Sequence, residues 1–292
     1  MTSAPNEKGD GLVRDWTFQP LAASAYYRRQ RIRNFVTRLR RAPPTHILRK
    51  AERARAWILY FIFLPDGQLT PAHRFTIARL KAMDLKLMIV CAAPGPDMVP
   101  PELGEQANAL MWKGMSGFDF SGYAAGLRHL AARSAGANVL VFNDSVLGPF
   151  VDLTGFVARA RWALTGFTAS QHNGNHIQSY GFIIRDLTRR RLAALRSVFV
   201  PGLAFDDFDA VVLNQETRFA AVAARRMDVG AFWYTGDARN EDPTLFTPEI
   251  LLDEGFPFIK KSALGKFRHV IGNAVAERLD ARLAAFGHPP FP

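Results

Sequence analysis

The chain has 292 residues, 48% of them apolar, which suffices for one large α/β domain or two small ones. A single cysteine, Cys91, excludes an internal disulfide, and the apolar run from Trp57 to Leu64 stops at Pro65, far short of the ~18 residues of a membrane span. The net charge of +11 is concentrated: residues 1–56 hold 13 Lys or Arg against four acids, and the rest hold 24 against 22, so the basic groove that nucleic acid requires is not implied for the folded body.

In chain order, Met1 to Asp10 is polar and has no apolar core of a secretory signal, so a cytoplasmic protein is expected. Between Tyr26 and Arg41 the spacing of Ile32, Phe35, Val36 and Leu39 predicts a helix carrying seven arginines, stopped by Pro43-Pro44. Two readings stand side by side. The helix lies on an anionic membrane surface, peripheral on the inner face of the plasma membrane, or it packs on the domain and leaves a solvated basic face.

From Trp57 onward strand-like and helix-like segments alternate, which predicts a mostly parallel sheet with helices on its faces. Strands are expected at 57–64, 85–92, 109–112, 138–142, 163–168, 177–185 and 230–234. Helices are expected from Thr70-Pro71 to Met83 and at 120–133, 153–161, 188–198, 214–227 and 270–286, with a short one after Thr247-Pro248. Cys91 and the aromatics Phe232, Trp233 and Tyr234 fall within strands and read as core, although the aromatics could also stack on a sugar. The expected organisation is a basic arm, 1–56, followed by one domain, 57–292.

There is no GxGxxG after the first strand, no P-loop, no HExxH and no paired CxxC, so dehydrogenase, kinase and zinc-site chemistries find no support. The strand 138–142 instead runs directly into Asn143-Asp144-Ser145, and ligands of open α/β sheets gather beyond strand carboxyl ends. All three residues also favour plain turns, so the segment alone leaves site and turn open.

Val139 to Pro149, containing Asn143-Asp-Ser-Val-Leu-Gly-Pro149, resembles the NDS-x-x-GP signature of rhamnan synthesis protein F. His176-Ile-Gln-Ser-Tyr180 resembles that family's HxQSY block, Gly117-Phe-Asp-Phe-Ser-Gly122 its glycine and aspartate turn, and Phe256-Pro-Phe-Ile-Lys-Lys261 its closing PFIK segment. The resemblance spans about 57–265 and implies a GT-A-like, Rossmann-type glycosyltransferase, a rhamnosyltransferase using a donor such as dTDP-rhamnose. Its acceptor would be lipid-linked or a growing polysaccharide, with 57–150 holding the nucleotide and 151–292 the acceptor. Asp144 is the candidate at the donor diphosphate, through Mg or Mn, but Asn143 and Ser145 stand where a DxD cluster would have acids, which leaves metal use open. Asn143, Ser145 and Gln178 are candidates to hydrogen-bond the donor. Asp119 holds its sugar or caps a helix. His176, with His172 nearby, serves as a metal ligand, a phosphate contact or a structural residue. Lys260 or Lys261 supplies countercharge. Glu216 is the candidate base of an inverting displacement, or an acid complementing a helix dipole, with Asp206, Asp207 and Asp209 as alternatives. A second reading is a catalytically silent relative that binds polysaccharide or a partner enzyme at the membrane.

Overall fold

The structure is a computed structural model and describes residues 11–21, 24–171, 174–236 and 242–291. Its strands are β1 (Leu12–Thr17), β2 (Leu39–Arg41), β3 (Thr45–Arg49), β4 (Ala56–Phe63), β5 (Lys86–Ala92), β6 (Ala109–Lys113), β7 (Ala137–Asn143), β8 (Val146–Leu147), β9 (Leu164–Ser170), β10 (His176–Ile177), β11 (Gly181–Leu187), β12 (Leu203–Phe205), β13 (Val229–Thr235) and β14 (Ile259–Lys260). Among the described residues ten strands form one sheet in the order β1-β13-β9-β11-β7-β4-β5-β6-β3, with β10 paired to β9. β4 lies parallel to β5 and β7, β5 to β6, and β9 to β13. β11 runs antiparallel between β7 and β9, so those two again point the same way. The α/β class expected from the alternation of segments is the one observed.

The central strands are continuous apolar runs because both of their faces are covered. Trp57, Leu59 and Phe61 of β4 join one core, and Ile58, Tyr60 and Ile62 join the other, as the two-residue period of a strand requires. The helix Phe118–Arg133 lies close on β4 through Gly122 and Gly126, where a Cβ would come within 2.5 Å of the Phe61 ring and of Leu59. That approach seats the first turn of the helix, and Asp119 with it, at the end of β7. A third cluster, in which Leu279 and Leu283 of the helix Asn273–Ala285 meet Leu147, Phe150 and Ile259, covers the turn after β7.

The described part of residues 1–56 is not a separate arm. β1 pairs with β13 and β3 with β6, so this segment supplies both edge strands of the main sheet, and β2 pairs with β12. The N–H and C=O rows of β13 and β6 would otherwise stand open. The helix expected over 26–41 spans Ala25–Arg38 and ends because Leu39 is extended (φ −72, ψ 130) and enters β2. The helix expected at 214–227 is longer and earlier: helical backbone runs from Phe208 through a π-turn, Val212–Glu216, to Ala223. The last helix is broken at Gly272, whose φ of +86 divides Arg268–Ile271 from Asn273–Ala285.

Candidate active site at the carboxyl edge of the sheet

The four sequence blocks, scattered over about half the chain, meet at one place. The Asn143 main-chain N–H donates to the Tyr180 carbonyl at 3.1 Å, and the Asn143 Nδ2 donates to Asp119 Oδ2 at 2.7 Å. The Tyr123 hydroxyl donates to the Ser179 carbonyl at 3.2 Å, while the Ser179 N–H donates to Glu216 Oε1 at 3.3 Å. β14 pairs with β8, and the Lys261 N–H donates to the Ser145 carbonyl at 2.9 Å. The meeting point lies where β4 and β7 end.

Asp144 is oriented by two donors on its Oδ2, the Phe63 N–H at 3.1 Å and His73 Nε2 at 3.2 Å. The Thr70 N–H donates to His73 Nδ1 at 3.2 Å, so Nε2 is the ring nitrogen that carries the proton. His73 occupies the third position of the helix Pro71–Lys81, where the Thr70 capping box closes on it, and this places its ring under Asp144. Asn143 Oδ1 accepts from the Ser145 N–H at 3.0 Å, so Asn143 and Ser145 do build a turn, while the amide end of Asn143 reaches Asp119.

Three carboxylates share this neighbourhood. Burial, and then the charges of Asp119, Asp144 and Glu216, push the Tyr123 phenol well up. Burial, and then the charge of Glu216, push the Asp119 carboxyl up to about 6, against hydrogen bonds from Asn143 and the main chain. Asp119 is not the cap of its helix. That helix begins at Phe118 after Gly117, which takes the left-handed conformation (φ 82), and Asp119 Oδ1 accepts from the Phe120 N–H at 2.8 Å. Glu216 closes the π-turn in the middle of a helical run, so it does not stand in a first turn where a helix dipole would favour it.

Lys113, absent from the sequence reading, is fully buried at the end of β6 and donates to the Gly114 and Ser116 carbonyls at 2.9 and 2.7 Å. Burial pulls its ammonium down to about 8, against Asp119 and Asp206, which raise it. The two shifted groups make opposite pH predictions. Folded Asp119 binds its proton more tightly than unfolded Asp119, so stability should fall as pH rises from 3.8 to about 6. Folded Lys113 binds its proton more weakly, so the unfolded chain holds more protons between about 8 and 10.5, and stability should rise with pH there. Denaturant midpoints of the wild type minus those of Asp119→Asn, and minus those of Lys113→Met, should show these slopes; flat differences would contradict them.

The remaining expected residues are placed differently. His176 is buried in β10, with its Nδ1 against the Gly174 carbonyl at 3.0 Å, and the histidine against Asp144 is His73. His172 lies outside the described residues. Among the described residues no three His, Cys, Asp or Glu side chains are grouped to hold a metal. Gln178 is buried and accepts from the Thr168 hydroxyl, and it also bonds the Asp242 carboxylate. Lys260 is not a free countercharge: it meets Asp242 at 3.2 Å and lies 5.1 Å from the Tyr180 ring centre. Burial would raise Asp242, but Lys260, Thr244 and Gln178 outweigh it and leave the carboxyl below its usual range. Asp206 accepts from the Gly117 N–H, Asp207 caps the helix Phe208–Val211, and Asp209 is exposed. Phe232 and Trp233 are core, as expected, whereas Tyr234 stacks on Trp16 at 4.2 Å.

Fold and edge together define a class: an α/β chain whose polar groups collect beyond the carboxyl ends of parallel strands, where such sheets take ligands. No family model matches the chain, and no curated protein matches it. Among solved structures it is similar to a 4-diphosphocytidyl-2C-methyl-D-erythritol synthase from Anaerococcus prevotii, with 11% identity over 69% of this chain and 96% of that one, at a TM-score of 0.37. It is also similar to a mannosyltransferase from Pyrobaculum calidifontis in complex with GDP-Man and Mn2+, with 13% identity over 74% of this chain and 65% of that one, at a TM-score of 0.39. Both are distant likenesses of fold. Membership of the rhamnan synthesis protein F family is not shown by any family match.

Proposed function

We propose that the chain is a nucleotide-sugar-dependent glycosyltransferase that inverts the transferred sugar, with rhamnose as the sugar and a lipid-linked or polysaccharide acceptor implied by the four-block resemblance. The observation that carries this reading is the convergence of those blocks around Asp119, Asp144 and Glu216. Three carboxylates held by hydrogen bonds beyond the strand ends offer the proton acceptor that sugar transfer needs, which supports an enzyme over a silent binding surface.

In this proposal Glu216 takes the proton of the acceptor hydroxyl, the hydroxyl oxygen forms its bond to the anomeric carbon, and the bond from that carbon to the diphosphate breaks. The nucleoside diphosphate leaves with the electron pair. Asp144 is assigned to the donor, through its hydroxyl groups or through a divalent ion at its diphosphate. Phe118, 40% exposed and held at φ 46 next to Asp119, is assigned to stacking on the nucleobase. The division into a donor half, 57–150, and an acceptor half, 151–292, belongs to the same proposal. Nucleoside diphosphates should raise the melting temperature of the full chain in a dose-dependent way. If no nucleoside diphosphate shifts it at millimolar concentration, the donor site is elsewhere or absent.

A further inference from the structure

The helix Ala25–Arg38 presents the wrong face to solvent for an ordinary surface helix. None of its residues is buried, and its contacts with the body are mostly polar: Arg31 Nε donates to the Leu213 carbonyl and Nη2 to Thr217 Oγ1, each at 2.9 Å, and Arg38 meets Asp207 at 3.8 Å. Phe35 turns inward to Phe205, with ring centres 6.1 Å apart. Ile32 and Val36, one turn apart, are left 69% and 75% exposed, and Tyr26 is 64% exposed. Arg28, Arg29 and Arg33 are exposed on the same side, beside this ridge. An amphipathic helix normally places its apolar stripe on the core, so a ridge turned outward marks a surface that something covers.

We propose that this outward face is an interfacial surface that seats the protein on an anionic lipid bilayer, with Ile32, Val36 and Tyr26 entering the headgroup layer and Arg28, Arg29 and Arg33 pairing with lipid phosphates. Charge complementarity selects this occupant. The helix carries five arginines and no acid, Ala25-Tyr-Tyr-Arg-Arg-Gln-Arg-Ile-Arg-Asn-Phe-Val-Thr-Arg38, and a cationic helix with an aliphatic ridge is what such a surface takes up. A second copy of the chain docking by two-fold symmetry would bring the same arginines face to face. Nucleic acid would answer the arginines and leave the aliphatic ridge in water.

The proposal is independent of the transferase reading, since it is tested by sedimentation and needs no turnover. Removing the whole segment is not a usable test, because β1 and β3 are edge strands of the sheet. The full chain should sediment with phosphatidylcholine vesicles that contain phosphatidylglycerol, should not do so with phosphatidylcholine alone, and should be released by salt. Ile32→Ser combined with Val36→Ser should weaken this about tenfold, and Arg28→Gln with Arg29→Gln and Arg33→Gln about a hundredfold. All five side chains are exposed, and unchanged melting curves would verify that both variants fold. Failure of the wild type to sediment with the anionic vesicles, or sedimentation of the Ser variant as strong as that of the wild type, would overturn the proposal. So would a concentration-dependent dimer that disappears in the Ser variant, which would assign the face to a second copy.

Discussion

Glu216→Gln is expected to lower turnover by about 10²-fold or more while donor affinity survives. The substitution keeps the size of the side chain and an oxygen for the Ser179 N–H, so the fold around the π-turn has no reason to change. What it removes is the ability to accept a proton. A purely electrostatic role toward the helix would have predicted a stability loss of about 0.3 to 1 kcal/mol with turnover intact, but the backbone is helical from Phe208 onward and gives Glu216 no first-turn position. A second signature accompanies the loss. Glu216 is one of the charges that raise Asp119, so the variant's Asp119 carboxyl should move back toward its ordinary range. A drop of less than about tenfold in turnover would count against Glu216 as the base.

Asp144→Asn is the other large effect expected, with turnover lost and the melting curve almost unchanged. Its side-chain carbonyl can still accept from the Phe63 N–H and from His73 Nε2, so the contacts that orient the residue persist, and a stability change within about 1 kcal/mol is expected. The charge that would act on the donor is gone. Nearly normal turnover in the folded variant would remove Asp144 from the reaction. A companion change, His73→Phe, should leave Asp144 charged but less firmly oriented, and its effect should fall between those of the wild type and Asp144→Asn.

The central strands were readable because β4 and β5 are unbroken apolar runs, and the helix Pro71–Lys81 because Thr70-Pro71 announces its start. β1 and β3 were not. Leu12-Val-Arg-Asp-Trp-Thr17 and Thr45-His-Ile-Leu-Arg49 are edge strands with mostly exposed residues, and their polar composition reads as coil until the partner strand is known. The same holds for the site. Asp144 stood at a strand end and Asp119 in a glycine-bounded turn, positions that sequence alone marks. Lys113 gave no signal, because a lysine at a strand end is ordinary and its burial with two carbonyl acceptors near Asp119 and Asp206 is a tertiary fact. His73 was hidden for another reason: it fills the capping-box position usually held by Glu or Gln, so its local role gave no hint of the contact with Asp144. The outward turn of Ile32 and Val36 was also hidden, since helical periodicity says which residues share a face and not which way that face points.

The most direct measurement for the central claim is release of nucleoside diphosphate from a panel of nucleotide sugars by the wild-type chain, with Asp144→Asn and Glu216→Gln beside it. Release from at least one donor, lost in both variants while all three proteins melt cooperatively, is the result expected. A well-folded wild type that releases no nucleoside diphosphate from any donor, with or without acceptor sugars, or that does so equally well in both variants, would contradict it.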